Sequence, residues 1–133
     1  MSATGGTNIY KGLQDAVELI DARENKNRNA SILFFTDGVP DYSPARGEIE
    51  AMNKLKRQKK ITYPLHAMGF GMYSRLDSWK IGEVAFNYGG MFSHIQDPTK
   101  IGTVFVNAIS NIMTTSACDV KLSLKFLQDG MNT

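Results

Sequence analysis

The run Ser31-Ile32-Leu33-Phe34-Phe35-Thr36 contains no charge and is apolar at consecutive positions rather than at every second one. A strand exposed to water on one side alternates apolar with polar residues. A run apolar on both parities needs cover on both faces, which is the situation of a strand inside a parallel sheet. Asp37-Gly38-Val39-Pro40-Asp41 ends the run with turn-forming residues. The chain must therefore supply elements for both faces of at least one buried strand.

The rest of the sequence supplies them. Residues 9–23 place Leu13, Ala16, Val17 and Ile20 on one helical face, and a polar stretch over 24–29 ends that helix. A second helix is expected over 44–58 with Ile49, Met52 and Leu55 inward, then a strand over 61–70 with Pro64 tolerated near its start. A third helix over 76–88 turns Leu76, Ile81, Val84 and Ala85 inward, with Trp79 covering an edge, and Gly89-Gly90 stops it. A short strand over 91–95 follows. The amphipathic stretch 98–114 predicts a long helix with Ile101, Val104, Phe105, Ala108, Ile109 and Ile112 as its stripe. Phe34, Phe35, Phe70, Phe86 and Phe105 are expected in the core. Val120-Lys121-Leu122-Ser123-Leu124-Lys125-Phe126 alternates cleanly, which predicts a half-exposed strand and a change of module. Alternating helices and strands imply parallel strands joined by crossovers in a doubly wound, mainly parallel sheet of the Rossmann-like α/β class. Residues 1–116 form that unit, and 117–133 begin a further β-rich segment or tail.

Composition narrows the function classes. The 133 residues are 42% hydrophobic and 21% charged, ordinary for a globular domain, and a net charge of +2 is too small to imply nucleic acid. No run is long enough to cross a bilayer, and no secretory leader is visible, so neither a membrane nor export is expected. The single cysteine, Cys118, allows no internal disulfide and reads as a small apolar residue near a helix end. These features favour an intracellular, cytoplasmic setting. The basic run Lys54-Leu55-Lys56-Arg57-Gln58-Lys59-Lys60 suits a solvated helix end, where cations oppose the negative end of the dipole. His66 and His94 fall on different strands and read as packed or partly exposed strand residues.

In a sheet of this kind ligands gather outside the carboxyl ends of the strands, where strand order reverses. Asp37 lies at that end of the most buried strand. Gly5-Gly6-Thr7 stands just before a helix, where glycines permit tight turns and a hydroxyl is presented outward. A carboxylate and a hydroxyl are hard oxygen ligands of the type magnesium takes. Thr7 also suits helix capping, as does Asn8, and Asp41 beside Pro40 suits a turn near the same rim.

Thr4-Gly5-Gly6-Thr7-Asn8-Ile9-Tyr10-Lys11-Gly12-Leu13, followed by Ile32-Leu33-Phe34-Phe35-Thr36-Asp37-Gly38, resembles the threonine and aspartate motifs of von Willebrand factor A domains. Gly69-Phe70-Gly71, Gly89-Gly90-Met91-Phe92 and Val104-Phe105-Val106-Asn107 extend the resemblance to about residue 114, most closely to intracellular members in which a β-rich segment follows the last helix. The resemblance implies a protein-binding module with a metal-ion-dependent adhesion site. There Thr7 and Asp37 would be ligands of Mg2+ or Mn2+, directly or through water, and an acidic side chain of a partner protein would fill the open position. The family's first-strand Asp-x-Ser-x-Ser motif does not precede Thr7, so the resemblance covers an N-terminally truncated form of the fold and the site is partial.

In the family, the strand matching Ser31-Ile32-Leu33-Phe34-Phe35-Thr36 pairs with that first strand. Here one edge is expected to stand open, flat and apolar, inviting another chain or a second copy to cover it. A sequence excised from a longer protein is the alternative. Two further functional readings compete with metal-dependent binding. One is a metal-independent scaffold module with a vestigial site. The other is a phosphotransfer or hydrolytic enzyme, which the sequence supports poorly. Gly5-Gly6-Thr7 lacks the Gly-Lys-Ser/Thr ending of a phosphate loop, and no nucleophile elbow or placeable Ser/His/Asp set is present. No enzymatic activity is therefore expected.

Overall fold

A computed structural model describes residues 6–26, 28–37, 40–71, 78–115 and 121–125. Helix α1 (Ile9–Asp21) leads into strand β1 (Ile32–Thr36), then α2 (Glu48–Lys59), β2 (Leu65–Phe70), α3 (Ser78–Asn87) and β3 (Phe92–Ile95). A single 3-10 turn, Pro98–Lys100, opens α4 (Ile101–Thr114). The strands form a parallel sheet in the order β1-β2-β3, with Ile32 opposite Leu65 and Ala67 opposite Phe92. The α/β class, the parallel sheet and helices on both faces agree with the sequence reading. The reversal of strand order expected beside Asp37 does not occur among the described strands, because each is added on the same side of the last.

Strand alternation divides the core in two. Ile32, Leu65 and Ala67 face Leu13 and Val17 of α1, Met52 and Leu55 of α2, and Ile81, Val84 and Ala85 of α3. The residues between them, Leu33, Met68 and Phe70, face the other way, where Ile95, Val104 and Ala108 join them. Among the described elements, one face thus carries three helices and the other only α4. Strand β2, flanked on both sides, is buried from Leu65 to Gly69.

The element boundaries follow local chemistry. Asn8 caps α1 by accepting the Lys11 N–H at 2.9 Å. The second helix starts at Glu48 rather than at 44, because Gly47 has φ +80°, outside the helical region, and closes a turn onto the Pro44 carbonyl. It ends with Lys60 in the left-handed region at φ 50°, while Ile61 N–H reaches back to the Lys56 carbonyl. That reversal consumes Ile61, which is buried under the helix end, so β2 begins at Leu65 instead of 61. Gly89, at φ +70°, ends α3 in the same manner, with Gly90 N–H bonded to the Ala85 carbonyl and Gly89 N–H to that of Phe86.

Several expectations fail, each for a packing reason. The α4 stripe is only partly used: Ala108 is buried, whereas Ile101 and Phe105 are exposed, because one helix cannot be covered by a sheet face narrower than its stripe. Phe86 is 79% exposed and Trp79 73%, so neither packs in the core nor covers an edge. Phe35 is also partly exposed at the rim of the sheet, while Phe34 packs against the larger core cluster. Of the half-exposed strand expected over 120–126, residues 121–125 form no ladder with a described strand and are exposed, and Val120 and Phe126 lie outside the described residues. Leu76 and Cys118 lie outside the described residues.

Candidate functional site at the carboxyl ends of the strands

The segment leading into α1 is pinned to the loop that follows β1. Thr7 donates its N–H to Asp41 Oδ2 at 2.5 Å, and its carbonyl accepts the N–H groups of Asp41 at 2.9 Å and Tyr42 at 3.4 Å. The contact is close enough to exclude a side chain at position 6. A Cβ on Gly6 would fall 2.6 Å from Asp41 Oδ2. Glycine at this position is thus what lets the two loops touch, and the pairing joins residues 34 positions apart.

Asp37 follows the buried Thr36 and is exposed, with the carboxyl end of β1 behind it. Gly71, at φ +97°, carries the chain away from β2 so closely that an added Cβ would sit 3.8 Å from the Asp37 carbonyl oxygen. From β3, His94 Nε2 lies 2.9 Å from the Gly71 carbonyl oxygen. One rim therefore gathers Thr7, Asp37, Asp41, Gly71 and His94 from four separate segments. Thr7 is not the helix cap, a task Asn8 performs, and its backbone rather than its hydroxyl makes the tie to Asp41. Asp41 does more than form a turn. His94 reaches this rim through its place on β3 opposite Gly69, a proximity that linear sequence does not display.

The donor chemistry of Thr7 and Asp37 is oxygen, which matches Mg2+ or Mn2+ in kind. It does not match in number. Among the described residues no group of three or more His, Cys, Asp or Glu side chains could hold a metal, and the carboxylate of Asp41, on the same loop as Asp37, is already bonded to the Thr7 N–H. These residues fit a divalent ion only with oxygens added from water and from a partner.

The opposite end of the sheet behaves differently. Lys56 Nζ donates to the Asn87 carbonyl and lies 5.4 Å from the centre of the Tyr88 ring, and Lys59 pairs with Asp21 at 3.2 Å. The basic run is thus in part a set of ties between helices, beyond the solvated helix end expected. His66, buried in β2, has its pKa lowered by that burial, and its Nδ1 accepts the Met91 N–H at 3.4 Å. Among the described residues no helix is long and apolar enough to cross a membrane. No protein-family model matches this chain, and no curated protein matches it in sequence.

Proposed function

We infer that the chain is a protein-binding module of the von Willebrand factor A type, in which Thr7 and Asp37 contribute to a metal-ion-dependent adhesion site. The observation that carries this reading is the reciprocal bonding of Thr7 and Asp41, which holds the threonine loop against the loop that leaves Asp37. A threonine and an aspartate from distant segments can share one ion only if their loops are held together, and this bonding supports that reading. Mg2+ or Mn2+ would supply a positive charge with open positions, and a carboxylate from a partner would take one of them. With two oxygen ligands from these 133 residues, affinity for the ion alone is weak and rises when the partner's carboxylate joins. The role is recognition, not catalysis.

Calorimetric titration with Mg2+ and Mn2+ tests the reading. Binding heat at millimolar metal, abolished by Asp37→Ala with an unchanged far-UV spectrum, supports it. No heat at that concentration sinks it and leaves the metal-independent scaffold. Turnover of a generic phosphoester would instead show an enzyme.

A further inference from the structure

The outward side of α3 carries a feature that the rim does not use. Trp79, Gly82, Glu83 and Phe86 recur at spacings of three and four, so they share one face of the helix. With Ser78 they line an open groove along it. Both large rings on this face are left to water, Trp79 73% and Phe86 79% exposed, while Ile81, Val84 and Ala85 fill the buried side. The exposure does not come from the open edge of β1. Helix α3 packs against α2, β2 and β3, and a strand added beside β1 would lie at the opposite end of the sheet from β3.

Charge identifies what this groove suits. Between the rings stands Glu83, one of whose carboxylate oxygens, Oε2, is shielded from water and has no hydrogen-bond partner. Among the described residues no cation pairs with it. Buried polar groups almost always find a donor, and this one lacks it. Gly82 adds a second sign. In mid-helix glycine costs stability relative to alanine, and packing does not require it here, since an added Cβ would meet only the Phe92 side chain, in ordinary contact at 3.7 Å. What glycine supplies is a bare floor between the rings.

We propose that this face of α3 binds an arginine side chain of a partner protein, its guanidinium held by the Glu83 carboxylate and stacked on Trp79, its methylene stem lying along Phe86. Each part of that side chain is matched. A guanidinium is planar, donates paired N–H groups to a carboxylate and stacks on aromatic faces, and tryptophan is the strongest cation–π partner. The stem is apolar and covers apolar surface while its head stays charged. The spacing selects arginine over a compact ammonium. Trp79 and Phe86 are seven residues apart, about 10 Å along the axis at about 1.5 Å per residue. That span suits an extended side chain laid along the helix, whereas an aromatic cage closes around one centre. The sign of the partner also differs from that at the rim, where a carboxylate is expected, so the proposal is independent of the metal reading.

Trp79 is the only tryptophan of the chain, so its fluorescence reports on this groove. Titrating the full chain with N-acetyl-Gly-Arg-Gly-amide tests the proposal, beside the citrulline peptide, which keeps the shape without the charge. The arginine peptide should change the emission saturably, with a dissociation constant of about 1–10 mM. Added salt should weaken it, and Mg2+ at the same ionic strength should leave it unchanged. Glu83→Gln should weaken it at least about tenfold. Phe86→Ala should weaken it less, through loss of the stem contact. Neither side chain belongs to the described core, so far-UV spectra should match the parent. Absence of a saturable response up to about 20 mM arginine peptide overturns the proposal. So does equal affinity for the citrulline peptide, which marks a merely apolar groove, or unchanged affinity in Glu83→Gln. Tighter binding of tetramethylammonium than of the arginine peptide overturns it in favour of an ammonium site.

Discussion

Replacing Gly90 by alanine should destabilise this protein more than the same change at any other described glycine. Gly90 joins the end of α3 to β3, and a Cβ there would lie 1.9 Å from the Leu65 carbonyl oxygen, 2.4 Å from its carbon and 3.1 Å from His66 N. A carbon tolerates a carbonyl oxygen at about 3.3 Å, so the two backbones must part by about 1.4 Å. All three atoms are main chain, so no side chain can swing aside. Parting the backbones strains the bond from Ala67 N–H to the Met91 carbonyl, now 2.9 Å, at the start of the β2–β3 ladder. Overpacking costs about 1–3 kcal/mol and each ladder bond lost costs about 1 kcal/mol, giving about 4 kcal/mol in all. Domains of this kind are stable by only about 5–15 kcal/mol. Urea unfolding followed by circular dichroism measures the change. Gly12→Ala serves as the opposite control. Its Cβ would meet nothing within 4 Å in mid-helix α1, and it should add about 1 kcal/mol. A Gly90→Ala protein within about 1 kcal/mol of the parent, with an unchanged denaturant slope, would refute the steric reasoning.

Three other outcomes follow from the same structure. Lys60→Gly relieves a side chain held at φ 50° and should raise stability by about 0.5–1 kcal/mol in the same urea assay, the strain relieved exceeding the entropy glycine adds to the unfolded chain. Asp41→Ala frees the threonine loop and, if the site takes metal, should weaken Mn2+ binding by about tenfold or more by calorimetry. Asp41→Asn, which keeps an acceptor for the Thr7 N–H, should retain more of it. His66 gives a pH dependence. Burial lowers its folded-state pKa, so the unfolded chain binds more protons as the solution is acidified. Its contribution is complete above the unfolded value of about 6.5 and is lost as pH falls from there through the lower folded value. Urea midpoints measured from pH 8 to 5 should show this decline, and His66→Gln should flatten it.

What could be read from the linear chain was whatever depends on near neighbours. Leu13 and Val17, or Met52 and Leu55, declare an inner helix face by spacing alone, and both pairs are buried. Gly89-Gly90 announced a helix end because few other residues make that turn cheaply. What escaped depends on partners distant in sequence. Phe86 and Phe105 have the same apolar chemistry as Phe34, but only Phe34 faces a populated layer. Lys60 is a good helix former by propensity, and its left-handed conformation is imposed by the need to seal Ile61 beneath α2. At the candidate site, Thr7 and Asp37 were legible as residue types in a recognisable pattern. The bond from Thr7 to Asp41 was not, since it joins segments that only the fold brings together. Residues 121–125 carry a strand pattern that describes what they could pair with, and no pattern in a segment reveals whether its partner edge is reached.

The unequal cover on the two faces of the sheet should govern how the molecule comes apart. On one side three helices interlock through Leu13, Val17, Met52, Leu55 and Val84, so that none can leave without opening the others. On the other, α4 is held chiefly through Ala108 and Val104 against Met68, Leu33 and Ile95. Partial unfolding then begins with α4, as a unit of its own and below the free energy of global opening. That excursion would bare Met68, Phe70 and Phe35 together beside an unpaired strand edge. The species most prone to aggregate is therefore this three-helix remnant, native in most of its core, and not the unfolded chain.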